Sequence, residues 1–202
     1  PIIVTRTYDS RDKAKGDFGI GWKLGVSGVK LTANRVAGVG WVQNRGGGFF
    51  PQYTIDATVD HDVIVRLENG DSAEFRARPN PSSQTLFPIQ FLNSMDYFSV
   101  GGIGGSLRVT EQPAWTSGSQ GSIEILEDDF STYNPDGFIY TSEDGFDYRF
   151  VRGSSNLSYR LTSITNPNGI RLDITRDGLI RSDGKSIVFV RDDEGRIASI
   201  ED

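Results

Sequence analysis

Six Asn-Gly or Asp-Gly pairs cut the chain into short pieces: Asn69-Gly70, Asp136-Gly137, Asp144-Gly145, Asn168-Gly169, Asp177-Gly178 and Asp183-Gly184. Such pairs supply the positive φ angles that tight hairpin turns require. With 24 glycines and eight prolines in 202 residues, few windows remain that could hold a ten-residue helix. Between the turns lie short apolar runs rich in Val, Ile, Phe and Tyr: Val63–Leu67, Phe138–Thr141, Tyr148–Val151, Arg171–Thr175 and Ser186–Val190. Their length and composition read as strands. The expected fold class is all-β, an antiparallel hairpin ribbon of twisted sheets.

Two hairpins carry an expected register. A two-residue turn at Asp144-Gly145 sets Glu143 opposite Phe146, Thr141 opposite Tyr148 and Ile139 opposite Phe150, with Ile139, Thr141, Tyr148 and Phe150 on one face. The same turn at Asn69-Gly70 sets Ile64 opposite Phe75 and Arg66 opposite Ala73. Two stretches read as loops, Arg78–Pro88 and Glu111–Ser122, the second as an internal seam at residues 111–122. Residues 1–202 otherwise read as one continuous β module. Residues 159–202 cycle through strand, polar tail and turn, with glycines at 169, 178, 184 and 195. That period is too short for helical repeats and suits strand-turn-strand units, each burying its apolar face against its neighbours.

The lack of cysteine removes disulfides, thiolate metal sites and thiol nucleophiles. A net charge of −6 argues against a nucleic-acid partner, whose binding rests on neutralising phosphates. The charge is uneven: residues 1–50 hold eight Lys or Arg against three Asp, and residues 51–202 hold thirteen basic against twenty-four acidic groups. Either the basic start docks on the acidic remainder or a neighbouring module, or these are ordinary solvated charges. No run of about 18 apolar residues exists, so no membrane insertion is expected. The start "PIIVTRTYDSRDKAK" has no basic leader with a long apolar core, which puts any export signal outside the sequence. A first residue of Pro1 and an ending in mid-pattern read as a segment of a longer polypeptide.

Few residues invite chemistry. His61, the sole histidine, lies between Asp60 and Asp62. Without a second histidine or a G-x-S-x-G turn it reads as a surface or hairpin residue, not as a base or metal ligand. "GKS" at Gly184–Ser186 resembles a phosphate loop but has the wrong glycine spacing and no helix after it. The acidic runs Glu127–Asp129 and Asp192–Glu194 read as solvated turns. No D-x-D-x-D-G loop supports calcium, and no cofactor or metal is expected. The 22 aromatic residues, including Trp22, Trp41 and Trp115, read mainly as packing that fills space left by small neighbours. "GDFGIGW" (Gly16–Trp22) reads as a corner in which Gly16, Gly19 and Gly21 turn the chain while Phe18 and Trp22 are buried.

Three passages resemble the Rhs and YD-repeat family, which includes bacterial Rhs polymorphic toxins, shell proteins of insecticidal toxin complexes, and teneurins. "TRTYDSR" followed by "GDFGIGW" is similar to the signature opening the Rhs region, through Arg6, Tyr8, Ser10, Gly16, Phe18, Gly19, Gly21 and Trp22. "EDGFDYRF" and "YRLTSITNPNG" resemble the passage leading into the repeats, through Gly145, Phe150, Leu161, Ile164 and Gly169. "VRDDEGRIASIED" resembles one repeat unit, through Gly195, Arg196 and Ile200, with Val190-Arg191-Asp192 where a Tyr-Asp pair would be usual, and Asn166 stands where the preceding passage usually has Asp. The family's self-cleaving "D-P-x-G-L" motif is absent. The resemblance implies a non-catalytic scaffold at the start of a β-shell, secreted or at the cell surface. Its partners would be other segments of the same polypeptide and an enclosed toxin or adhesion module. The alternatives are a secreted carbohydrate-binding or adhesion module with a glycan or cell-surface ligand, and a glycoside hydrolase.

Overall fold

Antiparallel pairing closes on itself here instead of running on as an open ribbon. The computed structural model describes residues 2–202. Its first strands are β1 (Arg6–Tyr8), β2 (Lys15–Gly16), β3 (Gly19–Ile20) and β4 (Trp22–Leu24), followed by a 3-10 turn (Gly25–Gly28) and β5 (Lys30–Ala33). Next come β6 (Trp41–Arg45), β7 (Gln52–Ala57), β8 (Asp62–Arg66), β9 (Ser72–Asn80), β10 (Ser83–Thr85) and β11 (Ser94–Gly102). After these are β12 (Ser106–Val109), β13 (Trp115–Thr116), β14 (Gly121–Ile123), β15 (Ile125–Leu126), β16 (Gly137–Thr141) and β17 (Asp147–Arg152). The chain finishes with β18 (Ser158–Thr165), β19 (Arg171–Ile174), β20 (Gly178–Arg181), β21 (Ser186–Arg191) and β22 (Ile197–Glu201).

Eight strands, in the order β17-β16-β12-β11-β9-β8-β5-β18, form a barrel that the β17–β18 pairing closes. Closure removes the free edges that an eight-strand open sheet would present. Alternate residues point inward: Leu31, Val63, Val65, Ala73, Phe75, Leu107, Val109, Phe138, Tyr140, Phe150, Tyr159 and Leu161 form one continuous buried cluster. Side chains therefore fill the interior, as the width of an eight-strand barrel allows. Phe138 makes edge-on contacts with Tyr97 and Tyr159, which join opposite walls.

Two further cores flank the barrel. The sheet β10-β7-β6-β14, the pair β13-β15 and the outer half of the β9-β11 hairpin enclose Trp41, Ile55, Ile89, Met95, Ile123, Ile125 and Tyr133. Buried Gln43 ties its loops together, accepting from Ile89 N at 2.6 Å and donating to Gly118 O at 2.9 Å. The stretches read as loops thus contain strands. β9 runs to Asn80 and β10 lies within Arg78–Pro88, while β13 and the start of β14 lie within Glu111–Ser122. From β18 the sheet continues as a meander, β19-β20-β21-β22, whose inner face (Leu179, Phe189, Ile197) packs with Leu24.

Both expected registers are off by one. Phe138 faces Phe150, Tyr140 faces Tyr148 and Thr141 faces Asp147, while Val63 faces Phe75 and Val65 faces Ala73. The core face is therefore Phe138, Tyr140, Tyr148 and Phe150, and Ile139 points outward with Arg149. The cause is loop length. Ser142 N bonds Phe146 O and Gly145 N bonds Ser142 O, a three-residue loop with Gly145 left-handed at φ +79°. The same bonds recur at Leu67–Asp71, Asn166–Ile170, Arg181–Lys185 and Asp192–Arg196. Such loops combine a type I turn with a left-handed fourth residue, and one added residue moves every side chain to the other face. Two of the six pairs are not such turns: Gly137 begins β16 and Gly178 begins β20 opposite Val188.

A Gly195→Ala chain is expected to lose about 1–2 kcal/mol, the penalty of the left-handed backbone for an L-residue, and Phe75→Ala about 3–5 kcal/mol from the barrel core. Urea unfolding of each variant measures both.

Candidate functional site: the opening corner and the free edge

The passages from the two ends of the sequence meet in space. β1 and β4 pair Tyr8 with Trp22 and Arg6 with Leu24, and β2 and β3 pair Gly16 with Gly19. Gly16 and Gly21 are required by close approach. A Cβ on Gly16 would lie 2.1 Å from Trp22 O, and Gly21, at φ +75°, would place one 2.7 Å from Asp9 O. Gly19 sits at φ +124°. The corner this creates docks on the last hairpin. Asp17 O accepts from Ile197 N at 2.7 Å, Asp17 Oδ2 accepts from Leu24 N at 3.0 Å, and Lys15 Nζ donates to Glu194 O at 2.7 Å. Phe18 packs into the apolar cluster of Leu24, Leu179, Phe189 and Ile197.

Trp22 departs from expectation. It is half-buried on the surface, with the Tyr8 ring tilted by 34° at 4.8 Å and the Arg6 guanidinium 4.9 Å above its ring. Ser10 is exposed and its carbonyl accepts from Lys13 Nζ. Of the middle group, Phe150 and Leu161 belong to the barrel core, Ile164 packs against it, and Gly145 and Gly169 hold left-handed turn positions. Gly195 does the same in the last hairpin, where Asp192 Oδ1 accepts from Glu194 N and Arg196 N and Asp192 Oδ2 accepts from Arg196 Nε. The Arg196 side chain holds the Asp192 carboxyl below the usual carboxylate range.

Among the described residues β22 has a partner strand only on its β21 side. Ile200 lies opposite Phe189 yet remains 42% exposed, because no described residue covers that end of the apolar face. On the other face of the meander Ile180, Val188 and Val190 are also exposed.

His61 is a buried residue, not the surface or hairpin residue expected. It shares inward parity with Val63 and Val65, stacks 4.2 Å from Trp41, and its Nε2 lies 2.6 Å from Val39 O. A carbonyl only accepts, so Nε2 carries the proton and Nδ1, buried without a partner, is bare. Burial pushes its pKa below the ordinary histidine value. Gly184 ends a hairpin loop and Ser186 begins β21, while Glu127–Asp129 lies in another loop leaving β15. Among the described residues no three His, Asp or Glu side chains converge in a metal-holding group. Trp41 is buried, whereas Phe91 and Phe130 are exposed and flank a half-buried Trp115 at 4.7 and 5.5 Å.

Trp22→Ala is expected to cost about 1–2 kcal/mol, from the partial burial of its ring at about 25 cal/mol per Å². The unfolded chain binds a proton at His61 more readily than the folded one, so stability falls as pH drops below about 6.5. His61→Gln, which retains a donor toward Val39 O, should flatten that part of the profile in denaturation midpoints measured from about pH 8 to pH 5. No family model, curated protein or solved structure matches the chain.

Proposed function

We propose that this chain is a non-catalytic scaffold segment of an Rhs or YD-repeat protein, contributing to a β-shell that encloses or presents a toxin or adhesion module. The observation that carries the reading is the free edge of β22 beside an uncovered apolar face. A strand edge offers backbone donors and acceptors to any strand of matching pattern. The meander shows the pattern in use: each hairpin adds one strand to the edge left by the previous one, and each covers part of the shared apolar face. A further hairpin pairing with β22 would cover Ile200 as β22 covers Phe189.

The corner supports the same role. Asp17 O occupies the Ile197 amide, so the start of β22 is held while its later residues remain available. The barrel supplies a closed anchor, and the meander an extendable arm.

Appending a second copy of residues 178–201 after Asp202 should slow hydrogen exchange at the amide of Ile200, which points away from β21, by at least about tenfold, the protection expected on moving from edge to interior. Unchanged exchange there would sink the scaffold reading. So would polysaccharide hydrolysis that a single Asp or Glu substitution abolishes.

A further inference from the structure

The change of partner along β18 opens a groove. Ser158 to Arg160 pair with β5, whereas Ser163 to Thr165 pair with β19, so β5 and β19 diverge from one strand. Between them, with the opening corner on the far side, lies a cavity of about 650 Å³. Its walls carry Lys30, Arg160, Arg176 and Arg191 together with the hydroxyls of Ser27, Ser154, Ser158 and Thr175, over a floor that includes Val29 and Leu161.

The charges here are arranged against the stability of the sheet. Lys30 lies directly opposite Arg66 on one neighbouring strand and directly opposite Arg160 on the other. Like charges placed this way repel. Among the described residues Lys30, Arg66, Arg160 and Arg176 have no carboxylate within ion-pair distance. Three unpaired cations in a row on a chain of net charge −6 stand out from its general surface. Arg191 is committed elsewhere, to Arg176 O and Gly195 O, and the groove's one carboxylate, Asp17, accepts from Leu24 N and lies 3.9 Å from Arg191.

We infer that this groove binds an acidic oligosaccharide, with Lys30, Arg160 and Arg176 on its acid groups and the Ser and Thr hydroxyls on its ring hydroxyls. The spacing favours sugar over an acidic peptide. Adjacent strands set Lys30 and Arg160 about 4.8 Å apart at the backbone, close to one acid group per sugar ring, whereas side chains on one face of an extended peptide recur about 6.7 Å apart. A groove lined by one sign of charge also concentrates its counter-charged ligand before contact. The inference stands on the divergence of β5 and β19 and does not rest on pairing at β22.

Calorimetric titration of the whole chain with a heparin-derived hexasaccharide, a galacturonic acid hexamer, maltohexaose and hexaglutamate tests it. Both acidic sugars should bind, with affinity falling as salt is raised, and maltohexaose should not. Lys30→Thr with Arg160→Thr should weaken acidic-sugar binding by about tenfold or more while leaving the thermal midpoint unchanged or higher, since it relieves like-charge repulsion. Unaltered affinity in that variant, hexaglutamate binding as tightly as the sugars, or no binding by either acidic sugar would overturn the inference. Exchange at Ile200 reads the β22 edge separately, so either idea can fail alone.

Discussion

The pairing of β17 with β18 is the contact on which the rest of the molecule depends. It places Phe150 opposite Leu161 and closes eight strands around one core, while the other edge of β18 pairs with β5 and sets Tyr159 opposite Leu31, 128 positions earlier in the chain. Closing such a loop costs entropy that grows only slowly with length, so the large rings buried at the seam, Phe138, Phe150 and Tyr159, can offset it. The same strand then carries the meander. β18 is at once the last stave of the barrel and the first rung of the arm, and everything beyond residue 165 is positioned by it.

Much of this was legible locally and little of it globally. Strand positions followed from turn-bounded runs of Val, Ile, Phe and Tyr, because those residues fit a pleated, half-buried surface wherever the sheet lies. Register did not follow, because the Asx-Gly pair is not the whole turn. The informative spacing is a polar side chain at one position and glycine three residues later. Asn166 Oδ1 accepts from Asn168 N and Ile170 N, and Asp192 Oδ1 likewise from Glu194 N and Arg196 N, before Gly169 and Gly195 respectively take the left-handed turn. His61 could also have been placed by parity, two residues before Val63 and four before Val65. The flanking Asp60 and Asp62 suggest exposure, whereas the alternation with Val63 and Val65 sets burial. The ring as a whole had no local signal, since the pairing of β5 with β18 that completes it joins residues more than a hundred positions apart.

One loop breaks the rule that the others obey. Glu127–Ser131 has the same backbone bonds as the glycine hairpins, yet Phe130 occupies the left-handed position at φ +65°. That conformation costs a non-glycine residue about 1–2 kcal/mol. The stack of Phe130 on Trp115 offsets part of it, since an aromatic pair contributes about 0.5–1.5 kcal/mol. The same trade appears at the opening corner, where Gly16 and Gly21 give up side chains so that the backbone can pass close to Trp22 O and Asp9 O. What the corner gains is reach: Asp17 and Phe18 touch the last hairpin, so the two ends of the sequence stabilise one another.

A closed barrel and an extendable arm impose conflicting demands on β18, and the groove is where the conflict is settled. To close the barrel, the strand must offer Ser158 to Arg160 to β5, and to start the arm it must offer Ser163 to Thr165 to β19 on the same side. Two strands cannot share an edge without separating, and the sheet's twist widens the gap between them. Apolar residues could have filled that space, as Leu24 and Phe18 do nearby. Instead its rim carries Lys30 and Arg160 side by side, a placement that opposes folding and gains nothing from packing. The repulsion is tolerated at a place where the fold leaves room for something else to neutralise it.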